Sequence, residues 1–534
     1  DAIEQVAILP AGQSINIELG NQLPDEGTLR VRVRAARADP TSDRIPSMQL
    51  HFGWQASNEG RALLRVSQQD TLITAEPGEP AFYQWDVPLG EIYPRNSVRT
   101  TSPMGALPSP SEYIRFVNSS ASPDPILIDF VEVRAPVYDE WPTASHQRLF
   151  PPSSKPSDPS NRFDYAREIL TRFMTRAWRR PPTAAEIDQK MRLLESFETE
   201  CEHFEEAVGE VYATILSSPH FLYAVQHEPV PQTAKEATSR QWLTSHQLAT
   251  RLSLFLWCSI PDDELLRLAD SNRLLEKEVL SAQVVRMLDD PKSNRFSQHF
   301  VHQWLNMELL DFLNFKQHVP GFDPLLKEAM QREPVEFFQE ILNHDESLLS
   351  FLHSDYAMVN ERLARHYGLA NVLGNDFRRV PTGETIRLGG LLTQAGLLAM
   401  NSDYPDSHPL KRGKWLLVSL LNDPPPPPPP AVPQIDLANP EIAKMTLKER
   451  IEDHRNHPAC MSCHVKIDPW GIAFENYDAL GKWRDDIRGQ SVDAASELFN
   501  REWLDGMAGL KRFLLANRQD QFVGAMVYKV ATYA

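Results

Sequence analysis

The stretch Leu29-Arg30-Val31-Arg32-Val33-Arg34 alternates apolar and charged residues without interruption. Because successive side chains of a β-strand point to opposite faces, this alternation predicts a strand with one buried and one solvated face. Further apolar runs at 114–117 and 126–133 are separated by turns rich in Pro and Ser. We therefore predict an antiparallel β-sandwich over residues 1–138.

Helical periodicity replaces this alternation after a linker at 139–161 that is rich in Pro and Ser. Tyr165, Ile169 and Phe173 recur at helical spacing and mark one apolar stripe. The stretch Thr244-Ser245-His246-Gln247 predicts a capping box, in which a Thr and a Gln satisfy each other's backbone amides. The sequence predicts helical domains over 162–370 and a further helical segment over 371–423.

Seven consecutive prolines, 424–430, divide this helical part from the end of the chain. Such a run adopts polyproline II, which at about 3.1 Å per residue gives a stiff spacer of roughly 22 Å. We predict a spacer over 424–433 that holds a separate final domain, 434–534, away from the rest. The predicted fold class is thus multidomain and mainly α, with an N-terminal β-sandwich.

Composition and charge exclude several kinds of partner. The chain has 534 residues, 42% of them hydrophobic and 24% charged, as expected for a globular protein of several domains. A formal charge of -18 argues against a nucleic-acid partner, which requires a basic face. No apolar stretch approaches the roughly twenty residues that span a bilayer, so we predict no membrane span. Cys201 and Cys258 stand alone in helical surroundings and are expected to be buried thiols or to form a single disulfide.

The segment Cys460-Met461-Ser462-Cys463-His464 carries the chemistry. Two thiols separated by two residues can each add to a haem vinyl group, and the adjoining histidine then lies beneath the iron as proximal ligand. A zinc site would need two more ligands at a suitable spacing, and a thiol–disulfide centre would need a thioredoxin-like setting. The motif therefore predicts one c-type haem, bound by Cys460, Cys463 and His464, in a mostly helical domain resembling cytochrome c.

Residues after this motif are candidates for completing the haem site. The backbone carbonyl of Asp468, just before Pro469, is expected to accept the Nδ1 proton of His464. Trp483 and Arg484 are candidates for packing on the haem and pairing with a propionate, and the alternative is a core aromatic residue beside a surface arginine.

The distal iron ligand decides between electron transfer and chemistry at an open iron. Met507 is the tentative distal ligand, because a loop could bring it over the opposite face of the haem. Burial in a core is the ordinary fate of a methionine, so this assignment competes with a packing role. Three other side chains compete for the same position: Met400, Met526 and His408.

The runs 454–464, 467–469, 474–478 and 481–484 closely resemble the large multidomain cytochrome-like proteins of planctomycetes and related bacteria. Those proteins are assembled from consecutive domains of unknown function. The stretches 251–257, 360–368 and 411–415 also resemble that family, so the resemblance covers about residues 126–534. It implies an exported haem protein, often with a sandwich similar to a carbohydrate-binding module, and it supplies no established substrate.

Three functions follow from these features. The first is electron transfer to an unidentified redox partner protein. The second is a haem oxidoreductase, peroxidase-like or oxygenase-like, acting on a polysaccharide-related or other extracellular substrate. The third is glycan binding by the sandwich, with calcium near Asp124 or Asp129 as an option beside ordinary turn-forming aspartates. Because c-type haem is attached after export, the expected location is the periplasm or the cell exterior.

Overall fold

A computed structural model of the chain describes residues 6–20, 22–55, 61–67, 69–92, 111–121, 123–151, 161–223, 242–313, 319, 321–383, 387–426, 448–449, 458–487, 489–498 and 500–534. For residues 55, 61, 62, 111 and 458–463 only the backbone is described. The chain divides into two compact units. The first comprises Asp1–Asp139 and His302–Met526, and the second comprises Glu140–Val301 and Val527–Ala534.

The N-terminal part of the first unit is a sandwich of two antiparallel sheets. One sheet has the order β1-β9-β3-β7 and the other β2-β8-β4-β5, with β6 paired to β4. Both sheets contribute to one apolar core, in which Trp85 and Phe116 lie with their ring centroids 5.8 Å apart. The strands are β1 Ala7–Leu9, β2 Ser14–Gly20, β3 Thr28–Arg37, β4 Ser47–Gln55, β5 Arg61–Arg65, β6 Thr71–Leu72, β7 Ala81–Pro88, β8 Ser111–Asn118 and β9 Ile126–Val137.

Strand β3 confirms the predicted alternation. Val31 and Val33 are fully buried, whereas Arg34 forms an ion pair with Asp129 at 2.9 Å on the opposite face. The described residues contain no group of three or more His, Cys, Asp or Glu side chains that could hold a metal ion. The Asp129 carboxylate is paired with an arginine, and calcium near Asp124 or Asp129 stays a prediction from the sequence.

The second unit is helical and contains two apolar cores. One core forms around the helices between residues 144 and 222, and the other around those between 245 and 289. The capping box predicted at Thr244 is present, with Gln247 as its partner. The helices of this unit are Ala144–Leu149, Arg162–Trp178, Ala184–Phe197, Phe204–Leu216, Pro219–Leu222, Ser245–Trp257, Asp263–Asp270 and Lys277–Asp289, and the helix Asn294–Trp304 contains the unit boundary.

The boundary between the two units falls within the stretch 162–370, for which the sequence predicts helical domains, since residues from 302 onward belong to the unit that contains the sandwich. Polar contacts within the first unit explain this. Arg65 pairs with Glu328, and the Asn375 amide donates to the Ser47 hydroxyl at 2.6 Å. Arg362 donates to the backbone carbonyl of Ser120 at 3.0 Å. These side chains fix the sandwich to the residues that follow 302.

The rest of the first unit combines helices with short hairpins. Its helices are Glu308–Asp311, Pro324–Asn343, Glu361–Tyr367, Ala395–Met400, Pro409–Trp415, Pro458–Ile472, Gly506–Asn517 and the start of Gln519–Tyr533. The strands β10 Tyr356–Val359, β11 Arg378–Pro381, β12 Asp486–Ile487, β13 Gln490–Ser491, β14 Ala495–Glu497 and β15 Trp503–Asp505 form three antiparallel pairs. The region 434–534 thus contains two hairpins, which the prediction of a mostly helical domain did not include. None of the helices that the structure describes is long and apolar enough to cross a bilayer.

The helices Pro409–Trp415 and Pro458–Ile472 pack closely, although the proline run lies between them in sequence. A Cβ added to Gly471 would collide with the carbonyl oxygen of Pro409, and one added to Gly413 would lie 2.6 Å from the carbonyl oxygen of Ile467. Two glycines therefore permit the approach. The sequence predicted a final domain held apart by a spacer, but the residues on either side of the prolines are in contact. Most of that spacer lies outside the described residues.

Candidate functional site

The CxxCH segment lies on the helix Pro458–Ile472, which we call the motif helix. Proline suits the first position of a helix because its fixed φ is already helical and its missing N–H has no partner there. Cys460, Cys463 and His464 occupy positions i, i+3 and i+4, which share one side of a helix. The first described side chain of the motif is that of His464.

The imidazole of His464 is held by a buried carboxylate one helical turn away. Its Nδ1 lies 2.9 Å and 3.1 Å from the two carboxylate oxygens of Asp468. His464 is 8% exposed and Asp468 is fully buried. The sequence named the right residue but the wrong group, because the acceptor is the side chain and not the backbone carbonyl. The i, i+4 spacing within one helix brings the two side chains together.

Arg412, on the Pro409–Trp415 helix, anchors the loop that follows the motif helix. Its guanidinium donates to the carbonyl oxygens of Phe474 at 3.1 Å and Tyr477 at 2.7 Å, and also to that of Asp478. A further bond reaches the Ser402 hydroxyl at 2.9 Å. Arg412 is fully buried, and burial lowers its pKa to about 10, so it stays charged at neutral pH.

Arg484 takes part in the same buried polar cluster. Its guanidinium lies 3.3 Å from the carboxylate of Glu475 and donates to the Ser407 hydroxyl at 2.7 Å. Burial raises the pKa of Glu475, and the positive charges of the nearby Arg412 and Arg484 partly offset this rise. The structure therefore gives Arg484 a partner within the protein, where the sequence suggested a haem propionate.

Trp483 and Met507 lie together in a cleft of about 420 Å³, and His464 is not among the residues that line it. Trp483 contacts Tyr477 edge to face, with ring centroids 5.2 Å apart, and its indole N–H donates to Asp485 at 2.8 Å. Met507 is 2% exposed, in the first turn of the helix Gly506–Asn517. The structure thus brings Trp483 and Met507 together, away from His464.

The strand β14 lies between this cleft and the motif helix. Ala495 lines the cleft, whereas the hydroxyl of the next residue, Ser496, donates to the carbonyl of Pro469 in the motif helix at 2.7 Å. The competing candidates for the distal position lie elsewhere. Met400 and Met526 are buried in helices, and His408 accepts a hydrogen bond from the Lys411 N–H at the start of its helix.

Sequence reasoning missed the roles of Arg412, Glu475 and Gly471. Arg412 stands in a run that supported only the family resemblance, and nothing in that run indicates three carbonyl partners more than sixty residues away. The contact between His464 and the Asp468 carboxylate, in contrast, could have been predicted, since side chains four residues apart are neighbours on a helix. Cys201 and Cys258 are free thiols, which removes the alternative of a disulfide between them.

Three family models match consecutive stretches of the chain. PSD5, a protein of unknown function (DUF1595), matches residues 165–226, and PSD4, a protein of unknown function (DUF1592), matches residues 243–369. PSCyt3, a protein of unknown function (DUF1588), matches residues 388–487, which include the CxxCH motif. The chain belongs to the planctomycete multidomain family with a cytochrome-c-like domain, as the sequence predicted. No curated protein matches it.

Proposed function

We propose that this chain is an exported c-type haem protein that transfers electrons through one haem, attached to Cys460 and Cys463 and bound by His464. The observation that carries the proposal is the hydrogen bond between His464 Nδ1 and the buried carboxylate of Asp468. A carboxylate or carbonyl on one ring nitrogen is the usual way in which proteins orient a histidine that binds metal through the other nitrogen. The name of the PSCyt3 family model also hints at a cytochrome-like domain.

The residues present fit a haem in their donor chemistry. Two thiols and an imidazole stand in the required order on a single helix, and the imidazole is almost fully buried. A zinc site would need two more ligands at a suitable spacing, and the sequence contains no second CxxC and no HxxxH. The donor set therefore supports haem over zinc.

A bound haem would supply a one-electron couple. The chain's own residues would hold that couple in a fixed environment. His464 would bind the iron through Nε2, and Asp468 would keep the proton on Nδ1. The paired glycines and Arg412 fix the motif helix and the loop after it, so these groups need little rearrangement when the charge of the site changes. Attachment of c-type haem after export supports a location in the periplasm or outside the cell.

Asp468→Asn is expected to raise the midpoint potential of the haem. Asparagine can still accept the Nδ1 hydrogen bond, but it removes a buried negative charge that stabilises the oxidised iron and makes the imidazole a stronger donor. If the lost charge–charge stabilisation is about 1.4 kcal/mol, the rise is about 60 mV for one electron. A redox titration followed by absorbance measures it. Asp486→Asn, at an exposed carboxylate, serves as the control and should leave the potential unchanged.

Carbon monoxide binding tests electron transfer against chemistry at an open iron. A six-coordinate haem excludes the ligand, so the reduced wild-type spectrum should not change under carbon monoxide. Met507 is the sixth ligand predicted from the sequence, although β14 separates its cleft from the motif helix. If Met507 binds the iron, Met507→Leu should make the reduced protein bind carbon monoxide, whereas Met526→Leu should not. Rapid binding by the wild-type protein would contradict electron transfer and favour the oxidoreductase.

A further inference from the structure

The cleft that contains Trp483 has the size of a ligand-binding site, since pockets of roughly 300–1,000 Å³ hold small molecules. It lies between the loop that carries Asn476, the segment 492–495 and the first turn of the helix Gly506–Asn517. Its volume of about 420 Å³ would hold one or two sugar-sized rings. Strand β14 lies between this cleft and the motif helix, although Trp483 and Met507, which line the cleft, were also haem candidates in the sequence. A ligand in this cleft goes beyond the proposed function.

Hydrogen-bond acceptors outnumber donors in this cleft. Asp505 precedes the helix but does not cap it, and its carboxylate makes no hydrogen bond or ion pair with the residues that the structure describes. Asn476 uses its amide N–H to bond the Arg484 carbonyl at 3.2 Å, which leaves its carbonyl oxygen, near Gly506, to act as an acceptor. Asp493 supplies a second carboxylate, paired with Lys448 beyond the lining.

Arg387 and Trp483 provide the complementary groups. The Arg387 guanidinium lies over the Trp483 ring at 4.6 Å from its centroid and 3.8 Å from the Asp485 carboxylate. Stacking on the indole holds the positive charge of Arg387 at the side of the cleft. Among the described residues, Arg387 and Lys448 supply two positive charges, and Asp485, Asp493 and Asp505 supply three negative charges. The net charge of this described group is therefore -1.

These features select one class of ligand. An anion would meet a net negative cleft, and a purely apolar molecule would desolvate carboxylates without pairing them. A saccharide ring offers several hydroxyl donors for Asp505 and Asn476 and an apolar C–H face that can pack on an indole. We propose that this cleft binds a neutral or amino saccharide.

On the polar side of β4, the side chains of the sandwich are bonded to one another and to Glu328. Gln49 is 2% exposed, and its amide donates to Asp70 at 2.9 Å and to Glu328 at 3.4 Å. His51 lies 3.0 Å from the Gln49 side-chain oxygen. Glu328, on the Pro324–Asn343 helix, therefore lies against this part of the sheet. The saccharide site inferred here lies instead in the region that follows the CxxCH motif.

Isothermal titration calorimetry of the full chain with glucose, glucosamine and glucuronate tests the proposal through ligand charge. The expected order of affinity is glucosamine, then glucose, then glucuronate, because the cleft carries a net negative charge. Asp505→Asn and Trp483→Phe should each weaken glucosamine binding at least about tenfold, since each removes a direct contact. Asp520→Asn and Trp503→Phe, at exposed positions outside the lining, are the matched controls and should bind as the wild type does.

Absence of heat with all three sugars at millimolar concentration would overturn the proposal, as would tightest binding of glucuronate. Equal affinities in the cleft variants and their controls would overturn it too. The haem absorbance of each sample, recorded alongside, separates this result from the proposed function. Saccharide binding by a colourless protein would contradict the haem alone, and a coloured protein without saccharide binding would contradict the cleft alone.

Discussion

Replacing both Cys460 and Cys463 by alanine is expected to abolish covalent haem attachment completely. The two thioether bonds are the only covalent links that the motif offers, and a histidine–iron bond alone does not survive denaturation. Purified variant protein should therefore lose all haem absorbance after unfolding and organic-solvent extraction, whereas the wild-type protein should keep it.

The chain offers a matched control for this experiment. Replacing Cys201 and Cys258 by alanine removes the same number of thiols from outside the motif, and that variant should retain the haem. Equal haem retention in both double variants would contradict attachment at Cys460 and Cys463.

Arg412→Met is expected to lower the free energy of unfolding of the first unit by about 3–5 kcal/mol. Methionine fills much of the space, but the carbonyl oxygens of Phe474, Tyr477 and Asp478 would lose their shared donor. The substitution would also leave the buried carboxylate of Glu475 with one fewer compensating positive charge. Urea unfolding followed by circular dichroism measures the change as an earlier transition.

Lys414→Met is the control, because Lys414 lies on the same helix and is exposed. Its effect should stay within about 0.5 kcal/mol, as for most surface substitutions. Arg412→Lys should fall between the two, since lysine keeps the charge but cannot reach all the carbonyls at once. An Arg412→Met variant as stable as the Lys414→Met variant would show that the loop after the motif helix does not depend on this anchor.

Local sequence rules predicted the elements in which the conformation and burial of each residue depend on its near neighbours in sequence. The alternation along Thr28–Arg37 specified a strand because one face had to be buried, and the structure confirms it. The capping box at Thr244 was equally local. The haem inferred from the CxxCH motif stays a prediction of the same local kind, since every group it needs lies within five residues.

Contacts between distant parts of the chain could not be predicted in this way. The first unit is discontinuous because side chains such as Arg65 and Asn375 join segments hundreds of residues apart. Gly471 gives no sequence signal that it will lie against Pro409, since the approach depends on how two helices pack. The contact between Arg484 and Glu475 likewise depends on the fold, and pairing of Arg484 with a haem propionate stays a prediction.

The most direct test of the haem proposal is the mass of the proteolytic peptide that spans residues 458–472, taken from the native protein. We expect this peptide to carry the mass of one haem and to resist alkylation by iodoacetamide, because both thiols are in thioether bonds. A peptide without added mass that takes up two alkyl groups would contradict the account.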